Sequence, residues 1–347
     1  MSQSVSLETV ARAAGVSTST VSRVLSRPEL VNAHTRERVE GVIARLGYLP
    51  HGAARALARK RSGSVGAVIP RLGVSLFSNT VQALQQTLHT AGYELLLSTP
   101  EWRPGDEVHH LRGLVTHGVD GVALLGSEHS PEVYALLESL HLPFICVWAS
   151  DEKRRGLPCA GLDNAAAIRL VAEHLIGLGH RRIAMVSGRT RHNERARARV
   201  RGLRAAMRSA GLDLPRDAVV EADYSYEAGE RAARIVLERH SKLTAIVCGN
   251  DYLAIGALAA CRATGRAVPQ DVSVTGLNDG ELARYTWPPL TTVHLPMWEI
   301  GERAARYLIA RLDGLDAPPP GDLPVSLRVR GSTAVASPQP RRGGRAG

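Results

Sequence analysis

Leu7-Glu8-Thr9-Val10-Ala11-Arg12-Ala13-Ala14-Gly15-Val16-Ser17-Thr18-Ser19-Thr20-Val21-Ser22-Arg23-Val24-Leu25 is the stretch on which the reading of this chain turns. Its apolar residues at 7, 10, 11 and 14 recur at helical spacing. Gly15 can take the left-handed conformation that ends a helix, and Ser17 offers a hydroxyl to cap a second one. Val16, Val21, Val24 and Leu25 would bury themselves against the first helix. Thr18, Ser19, Ser22 and Arg23 are then left as a polar face with no core to enter. Two short helices joined at a glycine turn, the second opening with hydrogen-bonding residues, form a helix-turn-helix. Small hydroxyl side chains let such a helix sit deep in a major groove, where Arg23 reaches guanine or phosphate.

Outward from this unit, Asn32 is placed to cap a third helix over about 33–46, whose Val39, Val42, Ile43 and Leu46 close a three-helix head. Residues 1–50 are read as this head and 51–62 as a basic, Ala-rich linker with helical tendency. The charge follows the same division. Residues 1–62 hold ten Arg or Lys against four Glu, and the tail adds Arg341, Arg342 and Arg345, so nine of the ten net positive charges lie at the two ends. A polyanion-binding head on a nearly neutral body is the implication. The last segment, 337–347, is Pro/Gly/Arg-rich and reads as a disordered basic tail.

From Gly63 onward, short apolar runs alternate with helical patterns, which is the signature of a parallel α/β fold. Strands are expected near 65–69, 93–97, 121–125, 144–147 and 159–162, then near 183–186, 219–222, 245–248 and 272–275. Two such sets predict two doubly wound parallel-sheet lobes with a ligand cleft between their strand ends, an arrangement of the periplasmic-binding-protein type. Lobe 1 is expected over about 63–162 and 294–323, and lobe 2 over about 163–293 and 324–336. Leu290-Thr291-Thr292-Val293 is read as beginning the return to the first lobe.

Enzyme chemistry finds no footing. There is no G-x-G-x-x-G, G-x-x-x-x-G-K-[ST] or G-x-S-x-G motif. His109, His110 and His117 lack a second group at metal-ligand spacing and read as solvent-facing, so neither metal nor cofactor is expected. Cys146, Cys159, Cys248 and Cys261 form no C-x-x-C pair and read as buried free thiols of a reducing compartment. No apolar run approaches the roughly 20 residues of a membrane span. Met1-Ser2-Gln3-Ser4 lacks the features of a signal peptide, so a cytoplasmic location is expected. A binding protein or sugar-processing enzyme with an incidental helical N-terminus would need an export signal or a catalytic constellation. An architectural nucleoid protein would explain the basic ends but not the lobes.

The order Leu7…Val10-Ala11…Ala14-Gly15-Val16-Ser17…Thr20-Val21-Ser22-Arg23-Val24-Leu25 resembles the N-terminus of the lactose/galactose repressor (LacI/GalR) family almost position for position. The likeness continues through Val31, Thr35-Arg36, Val39, Leu46-Gly47-Tyr48, Pro50 and Ala53-Ala54-Arg55-Ala56-Leu57. It implies a homodimeric repressor of a carbohydrate or sugar-acid catabolic operon, reading a near-palindromic double-stranded operator under control of a small-molecule effector. Thr18, Ser19 and Arg23 would contact bases, and Ser17, Ser22 and Thr35 phosphates. Arg55, Ala56 and Leu57 would work in the minor groove, with Leu57 as a kinking wedge. Induction and corepression share this architecture.

The same resemblance implies an effector site. Arg199-Val200-Arg201-Gly202 matches the family's Arg-x-x-Gly, whose arginine contacts the effector, and Asn250-Asp251 matches its Asn-Asp. Phe77, Trp148 and Tyr224 stand at strand ends where family members line the pocket, Trp148 placed to stack on a ring or carbon chain; core packing is the alternative reading for each. Asn278, in Gly276-Leu277-Asn278-Asp279, replaces a carboxylate common in the family, which makes the cleft less hostile to an anion such as a sugar acid or sugar phosphate.

Overall fold

A computed structural model describes residues 5–48, 61–69, 77–100, 106–150 and 156–337. The head contains α1 (Leu7–Ala14), α2 (Thr18–Ser26) and α3 (Ala33–Leu46). Ser6 caps α1, Ser17 caps α2 and Asn32 caps α3, each side chain accepting a backbone N–H of the first turn. Gly15 (φ 60°) and Gly47 (φ 61°) close α1 and α3 in the left-handed region. Val10, Ala11, Ala14, Val21, Val24, Val39, Val42 and Tyr48 form the head's own core.

In the first lobe lie β1 (Ser64–Val68), α4 (Ser78–Thr90), β2 (Glu94–Ser98), α5 (Asp106–Thr116), β3 (Gly121–Leu125), α6 (Pro131–Ser139), β4 (Phe144–Val147) and β5 (Cys159–Gly161). The second holds α7 (Asn164–Gly177), β6 (Ile183–Gly188), α8 (Glu194–Ser209), β7 (Val219–Ala222), α9 (Tyr226–Arg239), β8 (Ala245–Cys248), α10 (Asp251–Ala263), β9 (Ser273–Asn278) and β10 (Thr291–His294). Then α11 (Met297–Leu312) packs on α4 and the first sheet, β11 (Gly321–Asp322) joins that sheet, and β12 (Ser326–Arg328) joins the second. Among the described residues the sheet orders are β11-β5-β4-β3-β1-β2 and β12-β10-β9-β8-β6-β7, parallel throughout except that β12 runs antiparallel to β10. The expected α/β class with a helix-turn-helix head is what the structure shows.

One expectation is corrected. Residues 291–294 do not begin the return to the first lobe. They pair with β9 in parallel register, Thr291 opposite Thr275 and His294 opposite Asn278, and are mostly buried there. The return starts only at Leu295-Pro296, since proline has no N–H with which to extend the ladder. All four cysteines are free and buried. No helix among the described residues is long and apolar enough to cross a membrane.

Close helix packing depends on glycine in the second lobe. A Cβ at Gly202 of α8 would lie 2.5 Å from the Ala165 carbonyl oxygen and 2.7 Å from the Ile168 Cγ2 of α7. Gly202→Ala is therefore expected to destabilise the chain by about 1–3 kcal/mol through overpacking. Gly177→Ala, where nothing lies within 4 Å, serves as the control. Equal denaturant midpoints for the two variants would contradict this.

Candidate nucleic-acid interface and effector cleft

The head presents the expected face. Thr18, Ser19 and Arg23 are exposed on α2, while Ser22 and Thr35 are half-buried beside them. Ser17 spends its hydroxyl internally: its Oγ accepts from the Thr20 amide at 3.2 Å and lies 2.7 Å from Ser19 Oγ. That cap fixes where α2 begins, and with it the direction of the exposed side chains. Arg55, Ala56 and Leu57 lie outside the described residues.

In the second lobe, Arg199 lies on α8. Its side chain is 4% exposed. Nε donates to Asn164 Oδ1 at 2.8 Å and Nη1 to the Gly249 carbonyl at 2.7 Å. Both partners are neutral. Burial pushes the guanidinium's pKa below its ordinary value, with Arg195 adding repulsion and the Tyr224 and Glu194 side chains opposing. Tyr224 borders the same space and its hydroxyl accepts from Asn193 Nδ2 at 3.3 Å. Asn164, which the sequence reading missed, joins the two walls. It accepts from Arg199 while its Nδ2 donates to the Trp148 carbonyl at 3.5 Å and to that of Leu162 at 3.4 Å.

Two further side-chain atoms are buried without a hydrogen-bond partner among the described residues. Asn250 caps α10 through Oδ1, accepting from the Leu253 amide at 2.9 Å, but its Nδ2 is buried and finds no partner among the described residues. Asn278 Oδ1 is buried in the same condition. Asn278 (φ 131°) and Asp279 (φ 58°) both lie in the left-handed half of backbone space, where non-glycine residues are strained. Arg330 at 2.5 Å and His294 at 3.1 Å hold the Asp279 carboxylate in place.

Two of the expected contacts are placed differently. Trp148 is 2% exposed; its Nε1 donates to Thr80 Oγ1 at 2.8 Å and its ring packs edge-on against Phe77 at 4.9 Å. Trp148 and Phe77 therefore brace the first lobe's wall, and the expected stacking face is buried. Asp251 uses both oxygens inside the second lobe, accepting from Thr292 Oγ1 at 2.6 Å and from the Gly280 amide at 2.7 Å. It is a buried brace between α10 and β10.

The lobes also meet through charge. Glu194 Oε1 accepts from the Ser127 amide at 2.9 Å and from Arg195 at 3.1 Å, and Arg197 reaches Glu128 at 2.5 Å. Burial works to raise the Glu194 pKa, but Arg195 and the Ser127 amide outweigh it and hold the carboxyl below its ordinary value. The Arg195 guanidinium lies against Gly126, where a Cβ would leave it no room. Among the described residues no group of His, Cys, Asp or Glu is arranged to hold a metal.

Asp251 carries a pH signature. Burial raises its pKa from 3.8 to about 6, against the pull of its two hydrogen bonds. The folded chain thus binds this proton more readily than the unfolded one, so this carboxyl favours folding increasingly as pH falls from about 6 towards 3.8. Asp251→Asn is expected to remove that component and flatten the dependence of Tm on pH in this window. An unchanged slope would refute it.

Comparison with known proteins agrees with this geometry. A model of bacterial regulatory proteins of the lacI family matches residues 6–51, and a periplasmic binding protein-like domain matches 172–333. The HTH-type transcriptional repressor PurR of Escherichia coli O139:H28 is 33% identical over 309 residues, covering 88% of this chain and 90% of that protein. Catabolite control protein A of Priestia megaterium is 32% identical over 304 residues, covering 88% and 91%. A lac repressor dimer bound to operator and the anti-inducer ONPF superposes with TM-score 0.85 at 28% identity, covering 96% of this chain and 100% of that one. A complex of the transcriptional regulator CelR with cellobiose gives TM-score 0.72 at 30% identity, covering 94% and 99%. With the exposed α2 face and the two lobes, these likenesses show that the chain belongs to the LacI family of bacterial regulatory proteins and is a DNA-binding transcriptional regulator.

Proposed function

We infer that this regulator represses an operon for the catabolism of a sugar acid or phosphorylated sugar, and that the metabolite binds between the lobes. The observation that carries this is Arg199: a buried guanidinium whose two hydrogen-bond partners are neutral. A carboxylate or phosphate entering the cleft would supply the missing opposite charge and a planar, charge-assisted contact. The unpartnered Asn250 Nδ2 and Asn278 Oδ1 are suited to donate to and accept from its hydroxyls. Tyr224 would border the ligand, and Phe77 and Trp148 would shape the wall from behind.

On the DNA side, Thr18, Ser19 and Arg23 would read bases, and Ser17, Ser22 and Thr35 would fix phosphates. Arg55, Ala56 and Leu57 would enter the minor groove. Such a protein works where the DNA is, in the cytoplasm. It acts as a homodimer, which the lac repressor dimer on its operator supports. On this chain, Leu282 (53% exposed), Tyr285 (73%) and Trp287 (92%) cluster in one turn of the second lobe, an apolar patch suited to a second copy.

Selecting duplexes from a random library with the full-length protein should return a near-palindrome, bound less tightly as salt rises because the head's cations displace counterions. Recovery of no sequence preference would overturn the DNA-binding assignments. A thermal-shift screen of sugars, sugar acids, sugar phosphates and purines should raise Tm with an anionic compound. Arg199→Ala should abolish that shift and leave binding of the selected duplex intact when no effector is present. A shift from neutral sugars alone would remove the anion assignment.

A further inference from the structure

Control of DNA by a ligand in the cleft requires a physical connection between the cleft and the segment that leads to the head. α11 has the right termini. At its first residue, the Met297 carbonyl accepts from Thr80 Oγ1 at 2.8 Å, and that same hydroxyl accepts from the Trp148 indole at 2.8 Å. Gly301, one turn on, lies so close to the Thr80 carbonyl that a Cβ there would clash with it. The start of α11 is thus joined to the cleft wall, immediately after the crossover from the second lobe. Fifteen residues later, at the far end, the Leu312 carbonyl accepts from Arg61 Nη2, and Asp313 lies 3.7 Å from Arg61 Nη1. At 1.5 Å per residue the helix spans about 24 Å.

Arg61 is the last link of the basic linker, and the residues after it are clamped. Both Asp120 carboxylate oxygens are used on this one strand start: Oδ1 accepts from the Ser62 amide at 3.0 Å and Oδ2 from the Gly63 amide at 2.8 Å. The Asp120 amide in turn donates to the Ser64 carbonyl at 2.7 Å, and the Gly63 carbonyl accepts from the Glu94 amide at 2.8 Å. Gly63 sits at φ 71°, a turn that side chains resist. These hydrogen bonds tie the junction to the first lobe's sheet.

We propose that α11 is the rod that carries lobe movement to the DNA-reading segment, with Arg61 and Asp120 as the positioning residues that fasten that segment to it. Arg61 ties the linker to the helix end, where a cation is favoured by the helix's unpaired carbonyls. Asp120 ties it to the sheet. A shift of the first lobe then displaces the C-terminal end of the linker with it. This rests on the reading of the cleft as the control site.

Binding free energies couple reciprocally, so DNA on the head must be felt at the cleft if a cleft ligand is felt at the DNA. The test uses the full-length protein and the duplex it selects from a random library, with amide hydrogen exchange followed over residues 144–149 and 291–297. Saturating duplex is expected to change exchange there roughly fivefold or more in the unmodified protein. In Asp120→Asn and Arg61→Ala, duplex still binds but this change is lost, while exchange of 245–248 without DNA stays as in the unmodified protein. Arg61 is half-exposed, so its variant keeps the fold should Asp120→Asn fail to. Variants that retain the full response overturn the proposal, as does an unmodified protein that shows none, or an Arg61→Ala that loses duplex binding altogether. Failure to select any duplex instead overturns the underlying reading of function.

Discussion

A charge buried without its opposite is the constraint around which the body is arranged. An ionised side chain leaves water only at high cost, and a guanidinium cannot readily escape by giving up its proton. Arg199 meets that cost with dipoles: an amide oxygen from Asn164 and a main-chain carbonyl from Gly249. Asn164 can orient its oxygen towards Arg199 because its nitrogen is held by the Trp148 and Leu162 carbonyls. Position is therefore passed from β8 through Arg199 to the crossover between lobes.

Around this centre the polar groups divide into those that are satisfied and those that wait. Asp251, Asp279, Thr292, His294 and Arg330 form a closed set within the second lobe, and they hold the strained Asn278-Asp279 pair in place. Glu194, Arg195 and Arg197 engage Gly126–Glu128 of the first lobe. These groups give the two lobes a preferred mutual position before any ligand arrives. Asn250 and Asn278 are each left with one buried atom unused. A two-state protein needs both kinds: fixed contacts that define its states and open ones through which a ligand can discriminate between them.

What could be read from the sequence follows the range of the interactions involved. The head and most strands and helices of the body are set by local spacing, caps and turns, and Ser17, Gly15 and Asn32 perform the tasks their positions indicate. Arg199 was visible because it opens the Arg199-Val200-Arg201-Gly202 motif. Asn164 was not, since nothing local distinguishes an asparagine inside a helix start from a plain surface residue. Trp148 follows β4 and Asp251 opens α10, yet their partners Thr80 and Thr292 lie 68 and 41 residues away, and those distant hydroxyls turn them inward. β10 was misassigned for a similar reason. Its residues fit either sheet, and only the register with β9 decides between them.

The three crossings between lobes also order the assembly of the molecule. The head is one continuous run whose contacts are local, so it can fold as soon as residues 5–48 have been synthesised. The first sheet lacks β11 until residues 321–322 arrive, and the second lacks β12 until 326–328. Domains fold as units during synthesis, from the N-terminus onward. For most of its manufacture, then, each nascent chain carries a finished DNA-reading head ahead of a body unable to govern it.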